Sequence, residues 1–280
     1  MRPERSYNQL SRAHISACMD KITVITVCYN ESAERVRFTL DSIIDQNYTD
    51  MEIVVVDGGS NARTLTAFEP YQIRIKTFIS EPDSGIYDAM NKGVEGATGK
   101  WIIFMNIGDS FYSADALTKM MSTENIEDAD ILCGDVLLNG KEYSHTPKYL
   151  SRYFLCRKTI CHQAILARKT VFDSIGMFDL SYTLVSDRDW IYRALKKGVR
   201  YTNCPIPICC WEIGGKCADY GTRDEELQRY RANYFSHFER VLFASIRISE
   251  LLFNRLKSLN FSIPVRLRDK LRYFEAQTNK

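Results

Sequence analysis

The sequence has no run near the ~18 apolar residues that a membrane-spanning helix needs, which sets a bilayer-crossing segment aside. Residues 1–19 are polar and lack the apolar core of a signal peptide. There is no Gly-x-Gly-x-x-Gly after the first apolar run and no Gly-x-x-x-x-Gly-Lys-Ser/Thr. Dinucleotide-binding and P-loop phosphate cradles are therefore excluded. Nine cysteines contain no Cys-x-x-Cys pair, and Cys156/Cys161, Cys204/Cys209 and Cys209/Cys210 miss zinc-site spacing. They are expected to be small buried residues in a reducing compartment. Internal repeats and low-complexity stretches are absent too. Net charge is only +2, so a uniformly basic nucleic-acid binder is excluded. The charge is uneven, however: residues 227–280 hold eleven Lys and Arg against four acids, a net +7, and leave −5 for residues 1–226.

What the chain does have is alternation. Ile22–Cys28 and Ile53–Asp57 are short, β-branched apolar runs, as strands buried on both faces are. Between them Val36, Leu40, Ile43 and Ile44 mark a helix that Asn30 or Ser32 would cap. A weaker strand at Ile75–Ile79, a helix at about 86–97 and the run Trp101–Met105 continue the series. This predicts an α/β fold with a mostly parallel central sheet flanked by helices. Ligands on such sheets collect at the carboxyl ends of the strands, where Tyr29, Asn30, Asp57 and Asn106 fall. Later come a helix near 113–122, a strand Ile131–Leu138 with a turn at Asn139-Gly140, a long loop to Cys161, and Ala164–Ala167. A helix from about Ser186 to Lys197 ends at Gly198.

Three clusters can carry chemistry. Asp57, ending a buried strand before Gly-Gly-Ser, can accept hydrogen bonds from a base or ribose, although a turn or cap is the commoner use of such an Asp. Asp83, Asp88, Asn91 and Lys92 crowd a turn and the start of a helix. Asp88 and Lys92 are four apart and face each other. A capped helix with an ion pair accounts for them, and so does a sugar-phosphate site. Asn106 and Asp109 are delivered past the end of Trp101–Met105. A hard divalent cation takes one or two carboxylates, with water and phosphate oxygens completing its shell, which suits Asp109 with Asn106 in support.

These segments together resemble an inverting family 2 glycosyltransferase of the GT-A fold, of the bacterial exopolysaccharide, capsule or O-antigen type. The matching stretches are Thr23-Val-Ile-Thr-Val-Cys-Tyr-Asn-Glu31, Ile53-Val-Val-Val-Asp-Gly-Gly-Ser60, Glu81-Pro-Asp-Ser-Gly-Ile-Tyr-Asp-Ala-Met-Asn-Lys-Gly93 and Gly99-Lys-Trp-Ile-Ile-Phe-Met-Asn-Ile-Gly-Asp109. His162-Gln163 and Ser186-Asp-Arg-Asp-Trp190 follow, and the likeness covers about residues 21–215. The resemblance implies donor binding by Thr26, Tyr29, Glu31, Asp57, Asp88, Asn91, Lys92, Asn106 and His162. It implies a Mn²⁺ or Mg²⁺ ion on Asp109 and a general base at Asp187. His162 fits a structural imidazole nearly as well as a phosphate contact. Asn106 stands where the family's Asp-x-Asp motif has its first Asp, so one strong carboxylate remains. Asp189 competes with Asp187, but two residues along a helix it points about 200° away. Trp211–Lys216 resembles a segment that closes over the donor. The implied substrates are a nucleotide sugar, a UDP-sugar favoured, and a hydroxyl of a glycan acceptor on a lipid carrier. The rival readings are a non-catalytic sugar-nucleotide-binding scaffold and a nucleotidyltransferase; the latter wants a Gly-rich, basic loop where Tyr29-Asn-Glu-Ser stands.

The chain divides into a lead-in (1–20), the GT-A domain (21–223) and a basic amphipathic helical extension (224–280). Leu227, Tyr230, Tyr234, Phe238, Val241, Leu252 and Leu256 follow helical spacing over about Asp224–Leu259, with Arg229, Arg240 and Arg247 on the other face. A second basic helix is expected at Val265–Phe274. The extension either packs on the domain or lies on an anionic membrane. Expected partners include no nucleic acid, and a homo-oligomer is left open. The expected location is cytoplasmic, at most peripheral on the inner face of the plasma membrane.

Overall fold

The apolar runs pair edge to edge. In the computed structural model, which describes residues 20–211 and 220–258, β1 (Ile22–Cys28), β2 (Met51–Asp57), β3 (Ile75–Ser80) and β4 (Trp101–Phe104) form a parallel set in the order β3-β2-β1-β4. Cys28 lies opposite Asp57, and Ile25 opposite Phe104. Successive side chains point to opposite faces. Ile25, Val27, Val54, Val56 and Phe104 therefore meet Met90 and Val94 of α3 (Ile86–Gly96), which follows the short α2 (Ala62–Thr66) in the chain. Val24, Ile53, Val55 and Ile103 meet Val36, Leu40 and Ile43 of α1 (Ala33–Ile44). Each such aliphatic side chain contributes about 1.5–3 kcal/mol on burial. At Gly93 a Cβ would overlap the Ile25 side chain, so glycine is what lets α3 close on β1. Ser32 caps α1 by accepting from Arg35 N at 3.3 Å. Asn30 instead takes a left-handed turn (φ 53°) and accepts from Asn61 N and Nδ2.

Beyond β4 the pairing becomes mixed, with short antiparallel ladders beside one further parallel one. The elements there are β5 (Ser110–Phe111), α4 (Ala116–Met121), β6 (Ile131–Leu138), β7 (Glu142–Ser144), α5 (Arg152–Arg157), β8 (Ile165–Arg168), α6 (Lys169–Ile175), α7 (Ser186–Lys197) and β9 (Tyr201–Trp211). The sheet continues β4-β8-β6-β9-β5, with β8 antiparallel to both neighbours and β9 parallel to β6. The Asn139-Gly140 turn is present, both residues at positive φ, and joins β6 to β7. The expected long loop holds β7 and α5, the latter capped by Ser151, which accepts from Phe154 N at 3.1 Å. β9 escaped the sequence because Pro205 and Pro207 punctuate it. The register against β6 shifts on both sides of the Asp135–Pro207 pair, which accommodates the missing donors. Gly198, in the left-handed region, ends α7 as expected.

The extension is not one helix. α8 (Tyr220–Tyr234) and α9 (His237–Ser258) are separated at Phe235-Ser236. Ser236 Oγ accepts from Glu239 N at 3.2 Å while Glu239 accepts from Ser236 N at 2.8 Å, a capping box that starts a new helix. Leu227, Tyr230 and Phe235 join the core, so the boundary expected at 223/224 falls inside a packed helix. Arg229 leans back onto the domain, donating to the Ser181 carbonyl with its guanidinium 4.4 Å from the Tyr182 ring. It therefore does not share a continuous outer face with Arg240 and Arg247. The lead-in to residue 19, the closing segment beyond Trp211 and the helix at Val265–Phe274 lie outside the described residues. Among the described residues no helix is long and apolar enough to cross a membrane.

Candidate active site

The carboxyl ends of β1, β2 and β4 collect buried oxygens that no described residue satisfies. Asp57 is fully buried, and its Oδ2 accepts from Gly59 N (3.2 Å), Ser60 N (3.0 Å) and Ser80 Oγ (2.8 Å). These bonds fix the Gly-Gly-Ser turn. Among the described residues Asp57 Oδ1 has no partner, and neither does Thr26 Oγ1 or Asn106 Oδ1. Since native structures pair almost all such atoms, three orphans on neighbouring strands mark places where a ligand completes the bonding. Tyr29 stands exposed just past β1. Glu31 is bound by Arg35 Nε at 2.8 Å. Arg35 also lies against Gly108, where any Cβ would overlap the guanidinium and where φ is +102°.

The Asn106–Asp109 loop is held from two sides. Thr39 of α1 donates to the Asp109 carbonyl at 2.7 Å and accepts from Gly108 N at 2.8 Å. Gln163 donates to Asp109 Oδ2 at 2.6 Å and accepts from Cys161 Sγ at 2.6 Å. Asn106 Nδ2 lies 2.9 Å from His162 Nε2, and His162 Nδ1 lies 3.7 Å from Asp187 Oδ2. His162 thus links the loop to α7. Burial opposes its protonation, but the bond and charge of Asp187, with Cys161 and Asp109 nearby, outweigh that and raise its pKa above the ordinary imidazole value. The donor set fits a divalent cation shared with a substrate: one carboxylate, Asp109, beside the unpartnered Asn106 Oδ1. Among the described residues no group of three His, Cys, Asp or Glu could hold a metal alone. Most of the ion's shell would have to come from water and phosphate oxygens.

The two candidate bases separate cleanly. Asp189 is 1% exposed, with Oδ2 bound by Arg193 Nε at 2.7 Å and Oδ1 by the Tyr234 hydroxyl at 2.5 Å. Asp187, in the first turn of α7, accepts from Arg188 N at 2.7 Å and faces His162. Beneath it a small apolar cavity is lined by Phe104, Phe172, Phe178 and Trp190 together with His162 and Asp187. Glu226 of α8 accepts from Thr183 N (2.6 Å), Thr183 Oγ1 (2.8 Å) and Leu184 N (2.9 Å), anchoring the turn that enters α7.

The remaining predicted residues are committed to the scaffold. Asn91 is buried and bonds the Phe178 backbone twice, donating to its carbonyl at 3.0 Å and accepting from its N–H at 2.9 Å. Asp88 accepts from Ser84 N at 2.9 Å and lies 3.7 Å from Lys92, which binds Glu81 at 2.8 Å and the Pro82 carbonyl at 3.0 Å. Their bonds brace the loop that lays Asp83 against Gly58. Thr39 and Arg35 were not singled out from the sequence, and Gln163 was named only within the matching pair His162-Gln163, without a role. The only signal for Gln163 was its place beside His162; α1 hides Thr39 and Arg35 among ordinary helical residues.

The profile of glycosyl transferase family 2 matches residues 23–210. A PGL/p-HBAD biosynthesis glycosyltransferase of Mycobacterium bovis is 37% identical over 158 residues, covering 55% of this chain and 62% of the relative's length. An uncharacterized glycosyltransferase of Mycobacterium tuberculosis is 26% identical over 183 residues, covering 62% and 68%. Among solved structures, a mannosyltransferase of Pyrobaculum calidifontis in complex with GDP-Man and Mn²⁺ superimposes with a TM-score of 0.60 at 16% identity, over 91% of this chain and 84% of that one. Residues 1–349 of S. aureus TarS in complex with UDP-GlcNAc give 0.57 at 18%, over 69% and 59%. At these identities the structural likeness establishes the shared GT-A-type fold.

Proposed function

Because this chain belongs to glycosyl transferase family 2, we propose that the residues beyond β1, β2 and β4 move a sugar from a nucleotide sugar to an acceptor hydroxyl with inversion. The observation that carries this is the trio of unsatisfied buried oxygens, Asp57 Oδ1, Thr26 Oγ1 and Asn106 Oδ1. Asp57, Thr26, Tyr29 and Glu31 receive the nucleoside, a UDP-sugar being favoured. Two structures of like fold bind nucleotide sugars, UDP-GlcNAc in one and GDP-Man in the other, which supports a nucleotide-sugar donor of either base. Asp88, Asn91 and Lys92 hold the loop beside it in shape. Asp109 and Asn106 would hold Mn²⁺ or Mg²⁺ against the diphosphate. Neutralising the leaving group's charge is the chemistry the ion supplies when bound.

Asp187 takes the proton of the acceptor hydroxyl. That oxygen then forms its bond to the anomeric carbon as the bond to the diphosphate breaks on the opposite face. One displacement inverts the centre, so an α-linked donor gives a β-linked product. His162 steadies Asp187 and the Asn106 amide together. The acceptor is a glycan on a lipid carrier, worked on at the inner face of the plasma membrane.

A screen of nucleotide sugars with Mn²⁺ or Mg²⁺ tests this reading, with transfer from one donor expected. Nucleotide binding without transfer from any donor would favour the scaffold instead. Asp109→Ala is expected to abolish Mn²⁺-dependent binding of nucleoside diphosphate in calorimetry and leave the fold intact. Binding by the unmutated chain that ignores the metal would overturn the metal role.

A further inference from the structure

Arg188 is a buried cation whose bonding is incomplete. It is 8% exposed, in the first turn of α7 beside Asp187, and among the described residues its Nε and Nη1 have no hydrogen-bond partner. The carboxylates on either side of it in the chain are turned elsewhere. Asp187 faces His162 at 3.7 Å, and Asp189 is held by Arg193 at 2.7 Å and by the Tyr234 hydroxyl. What Arg188 does meet is a ring: its guanidinium stands 5.8 Å from the centroid of Tyr230. That is the outer limit of a cation–π contact. Taking a guanidinium out of water without acceptors for its N–H groups is costly, and a single distant ring does not offset it. Burial accordingly pulls its pKa below the ordinary arginine value.

The surroundings add positive charge. Arg231 and Arg223 of α8 both act against the charge on Arg188, and Asp187 acts in its favour. Arg223, Leu227 and Arg231 are four residues apart in turn, so they lie within about 80° on one side of α8. Leu227 belongs to the core, which turns that side toward the domain. Arg223 is exposed and Arg231 half-buried, and Arg231 donates through Nε to the Cys156 carbonyl at 3.0 Å. The three guanidiniums thus grade from solvent to interior and end at the residue next to the candidate base. Arginine presents a planar set of donors that matches phosphate oxygens.

We infer that Arg188, with Arg231 and Arg223 at its approach, receives a phosphate carried by the acceptor, beside the hydroxyl that Asp187 activates. This rests on the proposed role of Asp187 as base. In a single displacement the departing diphosphate and the attacking hydroxyl stand on opposite faces of the anomeric carbon. Asp109 and Asn106 serve the first, so an anion drawn to the chain neighbour of Asp187 belongs to the second. The acceptor class narrows accordingly, to a sugar joined directly to phosphate rather than the far end of a long glycan.

Thermal melts in inorganic phosphate test the site without any turnover. Phosphate is expected to raise the melting temperature of the full chain beyond what chloride does at equal ionic strength. The rise should persist with Mg²⁺ and saturating UDP or GDP. Arg188→Met removes an unpaired charge and no ion pair, so it should melt no lower than the unmutated chain in phosphate-free buffer and should lose the phosphate response. Arg188→Lys keeps the charge without the planar donors, and should keep the response with affinity about 10-fold weaker. In calorimetry with Mg²⁺ and UDP or GDP present, a panel of hexose 1-phosphates should bind at least about 10-fold tighter than the methyl glycosides of the same hexoses. Arg188→Met should level the two. A melting temperature unmoved by phosphate, or a response that survives Arg188→Met, would overturn the inference whatever becomes of the base assignment. A response abolished by UDP or GDP with Mg²⁺ would give the site to the donor, and equal binding of the two hexose series would remove the acceptor phosphate. A marked loss of stability in both Arg188 variants without phosphate would make the residue a structural one.

Discussion

The two halves of the sheet build their parts of the site by different means. From β3 to β4 the candidate donor residues sit where parallel strands end, and turns close at hand hold them: Asp57 by Gly59, Ser60 and Ser80, and Asn30 by Asn61. From β8 onward the candidate base is placed by bonds between residues far apart in sequence. Gln163 reaches Asp109, Glu226 reaches Thr183 and Leu184, Tyr234 reaches Asp189, and Asn91 reaches Phe178. The first half is a local solution repeated along the chain. The second is a set of long-range ties, so single side chains there should matter more.

The largest effect expected from that contrast is at Asp187. Asp187→Asn keeps the shape and removes the proton acceptor, so transfer should fall by about 10²–10⁴-fold while donor affinity stays. Asp189→Asn should cost far less rate, because its ties to Arg193 and Tyr234 are structural. Single-turnover kinetics on both variants separates them, and near-normal turnover by Asp187→Asn would remove the base assignment. Next comes Gln163→Leu, which takes the donor from Asp109 and should lower metal affinity or activity by about 10–100-fold. A titration with Mn²⁺ that showed no change would make Gln163 a packing residue. Asn91→Ala strips both partners from the Phe178 backbone and should cost about 1–3 kcal/mol in denaturant melts, with no change in nucleotide contacts.

The smallest effect concerns His162 and pH. Its folded pKa is raised, so protonation favours the folded state. That stabilisation is complete below about pH 6.5, the ordinary imidazole value, and is lost as pH rises through the raised one. His162→Gln should remove this drop from a plot of melting temperature against pH. An unchanged slope would show that Asp187 and His162 do not sense each other.

The same contrast decides what could be read from the sequence. β1, β2 and β4 were legible because burial on both faces demands short runs rich in apolar and β-branched residues, and polar residues follow them. α7 was legible from Gly198, which marks its end. The pairing of β9 with β6 was not, because prolines disguise an eleven-residue strand whose bulges absorb their missing N–H groups. The division of α8 from α9 was written as Ser236-x-x-Glu239, a signal that continuous helical periodicity across it concealed. Asn91 was legible as a site residue only by its motif. Its commitment to Phe178, 87 positions away, is a tertiary fact that no local pattern encodes.

Trp190 has an optical consequence. The chain holds three tryptophans. Trp190 sits three residues after Asp187, its ring 4.5 Å from Phe172 and 5.9 Å from Phe178, with its indole N–H on the Gly176 carbonyl at 3.1 Å. Trp101 is locked elsewhere, in β4 with the Arg168 guanidinium stacked 4.4 Å above it. A shift of α7 would change the packing of one indole and leave the other still. With Trp211 replaced by Phe, steady-state emission would become a built-in gauge of the base-bearing helix, readable in the dark of a stopped-flow cell without any attached dye.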